Sequence, residues 1–70
     1  MDLSYNETKI MAYLEGMSDF VSPTEIGFGC GGLTSSGRPR HSSWASPICM
    51  RLVKKGLLVR SDHGWYKPRG

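Results

Sequence analysis

Five of the nine glycines in this seventy-residue chain fall between positions 27 and 37. A glycine inside a helix or strand costs about 0.5–1 kcal/mol relative to alanine. The cluster therefore predicts a break, with regular structure confined to the segments on either side. Residues 29–42 read Gly-Cys-Gly-Gly-Leu-Thr-Ser-Ser-Gly-Arg-Pro-Arg-His-Ser, a glycine-, serine- and arginine-rich loop, and residues 27–37 are expected to be mobile in the free protein. Gly27-Phe28-Gly29-Cys30-Gly31-Gly32 also satisfies G-x-G-x-x-G. Dinucleotide folds place that motif between a strand and a helix, with an acidic residue about 20 positions further on. Here it follows a helix, no such acid is present, and seventy residues cannot hold the fold, so the match is accidental.

The same length limits the chain to one domain, residues 1–70, with 39% apolar residues supplying a single core. No apolar run approaches the roughly 20 residues of a membrane span. Met1-Asp2-Leu3-Ser4-Tyr5-Asn6-Glu7 has neither the basic start nor the apolar stretch of a secretory signal. A cytoplasmic protein with no membrane contact is expected.

Three helices and a hairpin are predicted. Ser4 and Glu7 form a capping box. Ile10, Tyr13, Leu14 and Met17 follow at i, i+3, i+4 and i+7, a first helix over 4–17. Phe20-Val21 suggests one short strand. Ser22-Pro23-Thr24-Glu25 combines an N-cap, a proline at the first helical position and a glutamate at the third, opening a second helix over 23–28. The third helix runs from near Ser43 to Lys55, with Gly56 in the left-handed cap position. Pro47 leaves open a later start with Ser46 as the cap. Ala45, Ile48, Cys49 and Leu52 share its core face, so Leu52 is expected to be buried. Ser43, Ser46, Pro47, Met50 and Lys54 lie opposite, flanked by Arg51. Leu57–Arg60 and Trp65–Lys67, joined by Ser61-Asp62-His63-Gly64, read as a β-hairpin. The fold class is α+β.

Charge divides the chain. Residues 1–37 hold five acidic residues and one basic, a net of −4, whereas residues 38–70 hold eight basic residues and one acidic, a net of +7. An electropositive face of this kind is the usual footprint of a polyanion partner. Arginine and lysine contact phosphates, and Ser43, Ser46 and Met50 offer contacts to base edges or thymine methyls. Solvated helix and hairpin faces are the plainer explanation of the same charges. Two cysteines are too few for a disulfide scaffold. Cys30, His41, Cys49 and His63 lack the close ligand pairs of zinc modules. No cofactor, metal or catalytic set is expected, and the protein is read as not an enzyme. A small zinc-binding protein stands as a third reading, checked by metal stoichiometry.

Leu52-Val53-Lys54-Lys55-Gly56-Leu57-Leu58-Val59-Arg60, followed by Gly64-Trp65-Tyr66, resembles the end of a winged helix-turn-helix domain. Ser22-Pro23-Thr24-Glu25-Ile26 is similar to the start of that family's second helix. The resemblance implies duplex DNA as partner and transcriptional regulation as role, with the third helix in the major groove and the hairpin as a basic wing. The positions it implies are Ser43, Ser46, Met50, Arg51 and Lys54 on the helix and Arg60, His63 and Lys67 on the wing. The long connection between the second and third helices adds Arg38 and Arg40. A homodimer, or a winged-helix protein-interaction module within a larger complex, is the alternative. An exposed Trp44 or Trp65 would favour a protein partner.

Overall fold

The computed structural model describes residues 3–69; Met1, Asp2 and Gly70 lie outside the described residues. Three helices, α1 (Tyr5–Glu15), α2 (Pro23–Cys30) and α3 (Ser42–Lys54), are followed by an antiparallel hairpin of β1 (Leu58–Arg60) and β2 (Tyr66–Pro68). This is an α+β architecture. No helix among the described residues is long and apolar enough to cross a membrane.

The capping box at α1 is complete: Glu7 N–H donates to Ser4 Oγ at 3.2 Å, and Ser4 N–H donates to Glu7 Oε1 at 2.8 Å. Glu7, Ile10 and Leu14 form its buried stripe. The helix stops at Glu15 rather than residue 17, so Met17 falls outside it and is exposed. The expected strand at 20–21 is a single bridge, in which Val21 and Tyr66 exchange backbone hydrogen bonds of 2.8 and 2.9 Å.

The glycine-rich segment departs most from expectation. Helix α2 begins as predicted, with Ser22 Oγ accepting from Glu25 N–H at 3.2 Å and Pro23 in the first turn. It does not stop at residue 28, however, but continues through Gly29 to Cys30. The connection to α3 is 31–41 rather than 29–42, and it contains a small hairpin. Leu33 bridges Pro39, Thr34 N–H donates to the Arg38 carbonyl at 2.8 Å, and Gly37 N–H donates to the Thr34 carbonyl at 2.9 Å. Two of the glycines serve contact rather than flexibility. A Cβ on Gly27 would lie 2.6 Å from the His41 carbonyl oxygen, and one on Gly31 would lie 2.9 Å from Arg40 Cβ. Four residues apart, they remove side chains where α2 meets the start of α3.

Helix α3 starts at Ser42, close to the expected start near Ser43, and passes through Pro47, so the later start with Ser46 as cap does not hold. Proline has no N–H to donate and leaves the Ser43 carbonyl without its intrahelical partner. Both residues are exposed, so water can serve that oxygen. The helix ends at Lys54, and Gly56 turns the chain with φ +79°. In the hairpin Leu58 pairs with Pro68, Val59 with Lys67 and Arg60 with Tyr66. Gly64, at φ +82°, closes the turn by donating to the Ser61 carbonyl at 2.9 Å.

One core unites these elements. Ile10, Leu14, Ile26, Cys49 and Leu52 are its largest fully buried side chains, joined by Val21, Ala45, Ile48, Leu58 and Tyr66. The expected face of α3 is therefore the buried one, and the opposite face is left to solvent. Each fully buried leucine or isoleucine contributes roughly 1.5–3 kcal/mol.

Candidate functional site

Spacing of about 100° per residue aligns Ser43, Pro47, Met50 and Lys54 in one stripe along α3. All four are exposed, with exposed Arg51 on one flank and half-buried Ser46 on the other. The stripe lies opposite the face that packs the core. The 31–41 hairpin carries exposed Arg38 at one end of the helix, and the β1–β2 hairpin carries exposed Arg60 and His63 at the other.

Two of the expected cations, Arg40 and Lys67, and the neighbouring Lys55 make contacts within the fold. Arg40 Nη1 donates to the Gly31 carbonyl at 2.7 Å, closing the end of α2. The Lys67 ammonium sits 4.7 Å from the centre of the Phe20 ring, half-buried. Lys55 Nζ donates to both carboxylate oxygens of Glu7, at 3.0 and 2.9 Å. The nitrogen Nε of Arg51 is 3.8 Å from the same carboxylate, but 56% of the Arg51 side chain remains exposed. Arg38, Arg51, Lys54 and Arg60 are thus the predicted basic residues directed to solvent. Arg40 and Lys67, also expected as phosphate contacts, each make a contact within the chain as well, to the Gly31 carbonyl and the Phe20 ring.

Glu7 is the residue that sequence reasoning used only as a cap. It is 3% exposed, and it joins the start of α1 to the end of α3. The Lys55 ammonium, aided by the Ser4 backbone N–H, holds its carboxyl down from 4.5 to about 2 against the opposing effect of burial. A carboxyl depressed in this way stabilises the folded state above its unfolded value, and that contribution disappears as pH falls from about 4.5 to about 2. Denaturation midpoints measured across that window should fall with pH in the natural chain. The fall should be distinctly shallower in Glu7→Gln; equal slopes in the two proteins would show that the pair contributes nothing.

The two cysteines are free thiols. Burial, with Cys30 nearby, pushes Cys49 up to about 12, and burial also raises Cys30, whose Sγ donates to the Ile26 carbonyl at 3.2 Å. Neither is presented as the thiolate that nucleophilic attack or metal ligation needs. Among the described residues, no three of histidine, cysteine, aspartate and glutamate converge as a metal site would require.

Other features were not foreseen from the sequence. Phe28 and His41 pack edge to face, with ring centres 4.7 Å apart, beside the N-terminus of α3. A depression of about 250 Å³ next to them is lined by Thr34, Pro39, Arg40, His41, Ser43 and Trp44. On the far side, a larger one of about 530 Å³ lies between α1 and the hairpin, lined by Met11, Glu15, Gly56, Leu57, Pro68 and Arg69. Trp44 is half-buried, whereas Trp65 is 46% exposed. Comparison of the chain with protein-family models, with curated proteins and with solved structures finds no match.

Proposed function

We propose that this chain is a winged helix-turn-helix domain that binds duplex DNA and regulates transcription without catalysis. Helix α3 enters the major groove, and the β1–β2 hairpin lies beside it as the wing. The observation that carries the reading is the solvent face of α3. Ser43, Pro47, Met50 and Lys54 run along it with Arg51 on its flank, and exposed Arg38 and Arg60 lie in the segments before and after the helix. A helix about 10–12 Å across with a polar, cationic outer face suits the major groove. The order of three helices and a hairpin, and the burial of Leu52 and Leu58 behind that face, support the same reading.

The test is a salt titration on duplex DNA. Each neutralised phosphate releases counterions, giving a log–log slope of about −0.9 per contact. A count of about 4–6 phosphate contacts for the basic half gives roughly −4 to −5. With Arg40, Lys55 and Lys67 engaged internally, about four contacts remain and the slope should be about −3 to −4. Arg38→Ala should flatten it by about 1 and leave the melting temperature unchanged. Arg40→Ala should do the reverse, lowering the melting temperature with little change in slope. Duplex binding that is absent at low salt, or insensitive to salt, would end this reading.

Exposed Trp65 favours a second one. It precedes β2 in the hairpin, where Val59 of β1 is also exposed, and the two leave apolar surface uncovered. Exposed tryptophan is characteristic of protein interfaces. A winged-helix interaction module, or a homodimer, would use this face; Trp65→Ser would then abolish association while any DNA binding persisted.

A further inference from the structure

We infer that the α3 face reads the 5-methyl groups of thymine, so that the preferred ligand is duplex with thymines lining a stretch of major groove. The inference rests on the duplex-binding reading above and specifies its ligand. Strong base discrimination in the major groove comes from bidentate hydrogen bonds: arginine or lysine to guanine, asparagine or glutamine to adenine. This chain has little to make them with. It contains no glutamine, and its one asparagine, Asn6, is in α1. The first turns of a recognition helix are the part that meets base edges, and on α3 they present Ser43, Ser46 and Pro47, with Met50 one turn on. Of the nearby arginines, Arg38 lies on the loop before the helix, one more is bonded within the fold, and Arg51 is drawn toward a carboxylate while 56% of its side chain stays exposed for phosphate. Arg40 is bonded to the Gly31 carbonyl at 2.7 Å, and Arg51 Nε lies 3.8 Å from the Glu7 carboxylate. Lys54 is in the last turn, where it reaches phosphate.

What remains for the bases is largely apolar. Pro47 and Met50 are three residues apart, so their side chains are neighbours about 5–6 Å apart on the helix surface. Met50 is 39% exposed on the face opposite the core, although methionine is a residue that cores readily absorb. Thymine C5-methyl is the one apolar group on the major-groove edge of the four bases, and apolar side chains are what recognise it. The cations on the flanks supply attraction to any duplex, and the Pro47–Met50 pair supplies the preference. Serine hydroxyls at 43 and 46 donate or accept to any base and add little selectivity.

The experiment compares three duplexes of equal length at one low salt concentration, using fluorescence anisotropy and the full chain. One is rich in thymine, the second is the same sequence with deoxyuridine in place of thymidine, and the third is G·C only. Burying two methyl groups should favour the thymine duplex over its uracil counterpart by roughly ten-fold. That ratio should collapse toward one in Met50→Ala and shrink in Pro47→Ala, both of which alter exposed positions. Equal affinity for the thymine and uracil duplexes, with salt dependence intact, would overturn the inference and leave duplex binding standing. So would a preference for the G·C duplex, or a thymine preference that survives in both variants. Failure to bind any duplex would remove the underlying reading and this inference with it.

Discussion

Gly27→Ala should destabilise the protein by at least about 2 kcal/mol, although alanine is the better helix former. The added methyl would lie 2.6 Å from the His41 carbonyl oxygen, 2.7 Å from the His41 carbonyl carbon and 2.8 Å from the Arg40 carbonyl oxygen. All three are backbone atoms, so no side-chain rotation relieves the contact; α2 and the start of α3 must separate. Overpacking a rigid site typically costs about 1–3 kcal/mol or more, against a propensity gain of about 1 kcal/mol at most. Backbone contact places this substitution at or above the top of that range. Gly29→Ala is the comparison. Its Cβ would meet the Tyr13 ring at 2.4 Å, but a tyrosine side chain can swing aside. Urea denaturation followed by circular dichroism should therefore rank Gly27→Ala as clearly the less stable. A Gly27→Ala protein as stable as the natural chain would refute the close approach of the two helices.

Leu52→Ala is the second large effect, about 2–5 kcal/mol. Leu52 is fully buried in the cluster with Ile10, Leu14, Ile26 and Cys49, and its carbonyl accepts from Leu57 N–H at 3.0 Å where the chain leaves α3. Truncation removes the transfer energy of the side chain and leaves a cavity that helices held by several contacts cannot close. A domain of this size has roughly 3–10 kcal/mol of stability in all, so the variant is expected to be largely unfolded at 37 °C. Met50→Ala, two residues away on the exposed face, should stay within about 0.5 kcal/mol of the natural chain. Similar denaturation midpoints for the two variants would contradict the orientation of α3.

Local signals made much of this architecture legible. The Ser4–Glu7 box, the Ser22-Pro23-Thr24-Glu25 start, the core face of α3 and the final hairpin all depend on residues within about five positions of one another. Their chemistry acts before distant parts of the chain meet, so spacing along the sequence is a sufficient guide. The candidate site was legible to the same extent. Once Ala45, Ile48, Cys49 and Leu52 define the buried face, Ser43, Pro47, Met50 and Lys54 must lie outside it.

What sequence reading missed depends on contacts between distant segments. The glycines at 27 and 31 look like helix breakers, but packing against residues 40–44 makes them the only residues that fit there. Pro47 looks like a helix start until the turns before it are held by the buried Ala45 and by Trp44 packed against the core. Arg40 and Lys67 look like phosphate ligands, yet a carbonyl at Gly31 and a ring at Phe20 lie within their reach. Glu7 carries its cap in the sequence four residues into the chain, while its ion partner is forty-eight positions away. By itself the sequence determined the element types, the buried face of α3 and the segregation of charge, because these follow from local propensity and periodicity. Only the tertiary structure decided which cations are free and where glycine is required, because both depend on distances that exist only after the segments pack.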